Sequence, residues 1–355
     1  MEISPGIHHA RSPDPGPQPH DWLALSDQAQ PVRDAVPQHG AGTEPLSRGA
    51  LICEVAAPFA PGVVLDLRQG DRVFSLFLDP TAGLEALLRR ERVLSRASLP
   101  GPLPLAGEVG RLTLGWNRPM NRWALRYERP GQELPPLTAS GEGDLALSLD
   151  DLDLLCRRPD QALRSPALLW FGATRGAALP HSAPWIGQRM PVATPTGLRP
   201  AGQLQRGDMV LTADGRARAL RSVRQLDLPS RGWHTPVLLR APYYSPQRDL
   251  LVSPDQKILL TGGAVEYLFD RDEVLAEARH MTDGRAALFD SRRPITRTVS
   301  LDTGEADLIA GDGIAFLAAD HRQDRPRPAP RPVLQSYEAV PLLRLLGRAG
   351  ATRLD

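Results

Sequence analysis

From about Ala50 to Pro130 the chain runs in short apolar stretches, LICEVAA, GVVLDL, RVFSLFLD, EALLRR, GRLTLGW and RWALRYE, separated by Gly, Pro and Asn turn signals. Apolar and polar positions alternate with a period of two in Arg72–Asp79 and in Arg122–Glu128, the pattern of half-buried strands. Leu112–Trp116 and Trp123–Tyr127 flank a Pro-containing loop and read as a hairpin. These runs predict an antiparallel β-sandwich over 48–175. The period then changes in SLDDLDLLCRRPDQALRS, which reads as a helix with Ser148 at its N-cap and Asp150 and Asp151 in the first turn, where carboxylates suit the helix dipole. Asp153 completes an acidic cluster. It lacks the glycine and closing glutamate of a calcium loop, so helix-start charge is the better account. Phe171 to Pro184, rich in Gly, Ala and Pro, reads as the connection between two globular units.

Beyond it the pattern is again that of strands. A short strand at Pro191–Thr194 meets a Pro-Thr-Gly turn, and a polar stretch ends in Arg206-Gly207-Asp208. A strand from Met209 to Thr212 then enters the turn Ala213-Asp214-Gly215. This predicts a compact all-β unit over 185–322. Residues 323–355 read as a Pro/Arg linker, with Arg325 to Pro332 a stiff polyproline-type spacer, followed by a short helix from Ser336 to Leu346. Residues 1–47, rich in Pro, Gly, Asp and Gln, read as a disordered leader, and His8, His9, His20 and His39 as solvated tail residues.

Composition changes little. The chain has 355 residues, 41% of them hydrophobic, enough for two cores. Lys and Arg number 42 against 41 Asp and Glu, and a net charge of +1 gives no field that would steer the chain to nucleic acid. No apolar run reaches the roughly 20 residues of a membrane span, and no signal-peptide pattern opens the sequence. That leaves a cytoplasmic protein or one exported without a classical signal. Cys53 and Cys156 read as buried free thiols, and no phosphate loop, zinc motif or nucleophile elbow occurs, so no cofactor is implied. Trp116 and Trp123 are either hairpin core or a platform on which a sugar ring stacks, which leaves a glycan or a protein as the partner classes.

The hairpin stretch GRLTLGWNRPMNRWALRYE resembles concanavalin-type lectin-like jelly rolls in its strand rhythm. In the second half, Val192-Ala193-Thr194-Pro195-Thr196-Gly197 and Leu204-Gln205-Arg206-Gly207-Asp208-Met209-Val210-Leu211-Thr212 are similar to the opening blocks of Hint (Hedgehog/intein) domains. Arg248 to Leu260, Ala278 to Gly284, Val299 to Phe316 and Val333 to Ala339 are similar to its later blocks, in the form found in bacterial proteins. The resemblance implies self-cleavage that begins with an acyl shift from nitrogen to a Cys or Ser at the domain's first residue. That step needs a nucleophile, a proton donor to the departing nitrogen and a well-placed peptide.

Counted back from Thr194 at the family's spacing, the nucleophile falls on Trp185, whose indole cannot attack a carbonyl. The family's His is replaced by Gln256, which cannot cycle a proton near neutral pH. Ser253 keeps the place of the family's Ser or Thr, and no His lies between Asp302 and Gly313. The pattern implies a Hint-like domain that no longer cuts itself and acts as a scaffold or binding module. With three residues inserted, Ser182 takes the nucleophile's place beside His181, and the chain is an active autoprocessing protein instead. His280 and His234 read as structural hydrogen-bonding residues, and Asp249 and Asp255 as turn supports.

Overall fold

A computed structural model describes residues 22–27, 31–33, 42–104, 108–132, 134–157, 162–175, 184–322 and 327–348. The first half is a sandwich of two antiparallel sheets. In chain order its strands are β1 (Trp22–Asp27), β2 (Pro31–Arg33), β3 (Arg48–Ala56), β4 (Gly62–Gln69), β5 (Arg72–Asp79), β6 (Gly83–Arg90), β7 (Val93–Pro100), β8 (Val109–Asn117), β9 (Arg122–Glu128), β10 (Leu137–Glu142), β11 (Ala162–Arg164) and β12 (Leu168–Thr174), with helix α1 (Leu149–Arg157) before β11. One sheet has the order β10-β9-β8-β3-β12-β1-β2 and the other β11-β4-β5-β6-β7. Alternation in β5 sends Phe74, Leu76 and Leu78 into the core between the sheets, where they meet Leu112, Leu114 and Leu125. The expected hairpin forms in the expected register, with Leu112 opposite Tyr127 and Trp116 opposite Trp123.

Helix α1 starts as its sequence predicts. Ser148 Oγ accepts the amide of Asp151, and the Asp151 carboxylate accepts the amide of Ser148 in return, a reciprocal cap. Asp151 is buried and pairs with Arg72 at 2.7 Å and Arg90 at 3.7 Å, so its charge also ties the helix to the sandwich.

The second half continues with β13 (Ile186–Gly187), β14 (Pro191–Thr194), β15 (Gly197–Pro200), β16 (Met209–Leu211), β17 (Ala217–Ala219), β18 (Ser222–Pro229), β19 (Val237–Leu239), β20 (Leu250–Val252), β21 (Lys257–Thr261), α2 (Gly263–Phe269), β22 (Glu273–Glu277), β23 (Ala287–Phe289), β24 (Ile295–Asp302), β25 (Leu308–Ala310), β26 (Ala315–Leu317), β27 (Val333–Leu334) and α3 (Ser336–Arg348). The strands make a sheet β18-β24-β13-β20-β19-β23, a sheet β25-β26-β21-β22-β27 and two hairpins, around a core that includes Val192, Val210, Ile258 and Phe316.

Three expectations need correction. Trp22–Asp27 and Pro31–Arg33, inside the segment read as a disordered leader, are strands, and β1 pairs with β12 from Trp22–Thr174 to Asp27–Trp170. Six apolar-rich residues in polar surroundings carry too little periodicity to announce a strand whose partner lies over 140 positions away. Phe171–Thr174, read as the start of a connection, belongs to β12. Its small residues are there because Trp22 packs over Gly172, where a Cβ would come within 2.3 Å of the ring. The described part of the expected spacer is bound to the second half. Arg327 pairs with Asp302 at 2.9 Å, and the carbonyl of Pro332 accepts the amide of Leu275 in β22 at 2.8 Å.

Candidate functional site

The chemistry expected of the second half centres on the peptide between Pro184 and Trp185, which leads into β13. Main-chain pairing inserts β13 between β20 and β24, so residue 185 is flanked by the residue after β20 and by the side chains of β24. Ser253 follows β20 directly. Its Oγ accepts the Trp185 amide at 3.1 Å, and its own amide donates to the Trp185 carbonyl at 2.8 Å. Ser253 in turn donates to Asp255, a half-buried carboxyl that burial pushes above the ordinary carboxylate range.

On the other side Ser300 of β24 donates to the Pro184 carbonyl at 2.9 Å. That bond uses the only hydroxyl proton of Ser300, so Nε2 of His321, 2.9 Å from Ser300 Oγ, is the donor to that oxygen. Nδ1 of His321 meets Ser222 Oγ at 3.0 Å, and its main-chain amide donates to Asp302 at 3.3 Å. Both halves of one peptide group are therefore held by side chains, each backed by a second, titratable one. His321 lies beyond the Asp302–Gly313 window in which the family resemblance leads one to expect a histidine. Nothing in its surroundings, Ala-Asp-His-Arg, marks it.

The side chain at 185 points away from this chemistry. Its indole is 3% exposed and belongs to an apolar cluster with Trp22, Leu25, Ile52 and Trp170 of the sandwich and Leu228 of β18. Gln256 is buried, and its Nε2 donates to the carbonyls of Leu317 at 2.9 Å and Lys257 at 3.3 Å, ordinary structural bonds. Ser182 and His181 lie outside the described residues.

Sequence reasoning missed a second cluster, where the halves meet. Glu54 of β3 is fully buried. Its Oε1 accepts Nε and Nη2 of Arg111 at 2.8 and 2.6 Å, and its Oε2 accepts Trp170 Nε1 and the Trp233 amide, each at 2.8 Å. Nη2 of Arg111 also lies 3.1 Å from Nε2 of His234. An arginine only donates, so this nitrogen is unprotonated. Burial, with the charge of Arg111, holds His234 well below the usual histidine range. Glu54 and Arg111 come from the sandwich, His234 and the Trp233 amide from the second half. The Trp22 indole adds a bond across the same boundary, to the carbonyl of Asp227 at 2.9 Å. An acidic residue inside LICEVAA was the available signal, since a strand position buried on both faces does not hold a carboxylate without partners.

The remaining expected residues stand apart from both clusters. Trp116 is 3% exposed and donates to the carbonyl of Leu46 at 3.1 Å. Trp123 is half-buried and donates to that of Glu142 at 3.0 Å. They border a shallow hollow of about 450 Å³, with Asn117, Arg122, Ser140 and Glu142 at its rim. His280 is half-buried and held below the usual histidine range by burial, but its Nδ1 has no hydrogen-bond partner, which departs from the structural role expected of it. Asp249 accepts the amide of Ala241 at 3.0 Å as a turn support does, whereas Asp255 belongs with Ser253. Cys53 and Cys156 are buried and unbridged. Among the described residues no group of three His, Cys, Asp or Glu is placed to hold a metal ion, and no helix is long and apolar enough to cross a membrane.

Comparison with known proteins bears on the second half. The family model described as Hint domain matches residues 188–316. Among solved structures the chain is similar to the MchDnaB-1 intein at 13% identity, covering 38% of this chain and 98% of that one with a TM-score of 0.27. It is also similar to a heptameric SAP-like pentraxin from Limulus polyphemus (10% identity, 45% and 60% covered, TM-score 0.22) and to domains LG4-5 of the mouse laminin alpha1 chain (12%, 84% and 74%, 0.23). No curated protein matches the chain.

Proposed function

We propose, from the premise that residues 188–316 are a Hint domain, that this domain does not cut its own chain and serves instead as a structural and binding module clasped to the β-sandwich. One observation carries the reading. The residue at the nucleophile's place, Trp185, has neither thiol nor hydroxyl, and its indole is committed to the apolar cluster that joins the two halves. An acyl shift needs a nucleophilic atom beside the Pro184 carbonyl, and residue 185 supplies none. Burying a tryptophan across a boundary removes well over 100 Å² of apolar surface from water, so the position now favours association of the halves over their separation. Intact mass spectrometry of the purified chain, after a day at neutral pH with and without hydroxylamine, tests this. The mass stays that of the whole chain in both. A fragment ending at Pro184, or one beginning at Ser182, overturns the reading.

A second reading concerns the sandwich. Trp123, Arg122, Ser140 and Glu142 around one hollow combine an aromatic edge with polar groups, the composition that suits a sugar ring. Trp116, buried and bonded to Leu46, lines the same hollow. Glycan-array binding that is lost in Trp123→Ala supports this reading, and binding that survives the substitution removes it.

A further inference from the structure

We infer that the peptide Pro184–Trp185 is still held as a cleavable peptide, with Ser300 positioning its carbonyl and Ser253 its amide, so that the indole at 185 alone withholds the acyl shift. This rests on the reading of the domain given above. The observations are geometric. The carbonyl oxygen, where negative charge would develop during attack, receives the Ser300 hydroxyl at 2.9 Å, and His321 and Ser222 fix the orientation of that hydroxyl. The amide nitrogen, which must leave as an amine, faces Ser253 at 3.1 Å, with Asp255 behind it. Gln256 stands where the resemblance expects a proton-cycling histidine, but its side-chain amide is bonded to the carbonyls of Leu317 and Lys257 and not to this peptide. Its identity is therefore not what limits the step.

With Trp185→Cys, the sulfur would bond to the Pro184 carbonyl carbon as the carbon–nitrogen bond breaks. The thiol gives up one proton and the departing nitrogen takes up one, so none is gained or lost. Hydroxylamine then displaces the sulfur, leaving a hydroxamate on Pro184 and a free thiol on the residue that follows it. Ser253 and Ser300 are positioning residues in this account, and His321, Ser222 and Asp255 act through them.

Two measurements on the full chain test the inference. Pro184–Trp185 is the only Pro-Trp pair in the sequence, so labelling Pro carbonyls with carbon-13 and Trp amides with nitrogen-15 gives a single correlation for this peptide. Ser300→Ala moves its carbon frequency and Ser253→Ala its amide frequencies, while the melting transition persists. In the second measurement Trp185→Cys, shown to be folded at the incubation temperature, is treated with hydroxylamine and splits into residues 1–184 and 185–355. Adding Ser300→Ala slows the splitting by roughly 100-fold, the scale of a lost oxyanion donor. A folded Trp185→Cys chain that stays whole overturns the inference and leaves the non-cleaving reading of the parent intact, whereas cleavage of the parent itself overturns that reading. Where Trp185→Cys does not fold, the labelled parent decides. Resonances unmoved by both serine substitutions overturn the inference, and resonances moved as described support it.

Discussion

Glu54 of the sandwich bonds across to the second half through the Trp233 amide. It is a buried carboxylate with every acceptor position answered, by Arg111, Trp170 and the Trp233 amide. Removing it leaves the Arg111 charge buried with only the partly exposed Glu128, at 3.3 Å, as an acidic partner. Glu54→Ala is expected to cost about 3–5 kcal/mol, the range for breaking a buried ion pair, measurable as a lower urea midpoint. His234 sets a pH dependence at the same place. Its folded value lies below the ordinary 6.5, so above that pH both states are neutral and it contributes nothing. Below it the unfolded chain takes up a proton that the folded chain refuses, and stability falls by up to about 1.4 kcal/mol per pH unit. Urea midpoints from pH 8 to 5 should show this decline, flattened in His234→Asn. An undiminished slope in the variant assigns it to another group. Only Glu54 inside LICEVAA was a signal in the order of residues; its partners were not visible, because Arg111 and His234 reach it only through the pairing of β3 with β8 and the docking of the two halves.

At the scale of elements the chain is more legible. Strand alternation, the hairpin of β8 and β9 and the Ser148 cap on α1 depend on neighbours in sequence, and each forms as its residues predict. Replacing Ser148 by alanine removes the acceptor for the Asp151 amide and should cost about 1 kcal/mol, read as a shift in thermal midpoint. An unchanged midpoint would place the hold on α1 in the pairs of Asp151 with Arg72 and Arg90 instead. What was not legible depends on distant partners. The first strand needs β12, Gly172 needs the Trp22 ring above it, and the parallel strand Val333–Leu334 needs β22. The Pro184–Trp185 site was half legible. The family resemblance pointed to residue 185, counted back from Thr194, and to Ser253 within Arg248 to Leu260, but Ser300, His321 and Ser222 are gathered from three separate segments by the β18–β24 pairing and by the return of the chain at His321.

For the molecule as a whole, the two halves are joined by more than a connecting segment. Trp22, Trp170 and Trp185 with Leu25, Ile52 and Leu228 form one apolar cluster across the boundary, and the Glu54 network lies beside it. The indole of Trp185, just ahead of the segment matched as a Hint domain, packs against Trp22, Leu25, Ile52 and Trp170 of the sandwich. Trp185→Ala should therefore act on both halves, at about 3–5 kcal/mol for a truncated buried tryptophan, and should expose the boundary to limited proteolysis. Cleavage confined to sites that are already cut in the parent would argue against it. The most direct test of the clasp is differential scanning calorimetry of the intact parent chain. A single transition, with calorimetric and van't Hoff enthalpies in agreement, is the result this account predicts. Two separate transitions, one for each half, would contradict it.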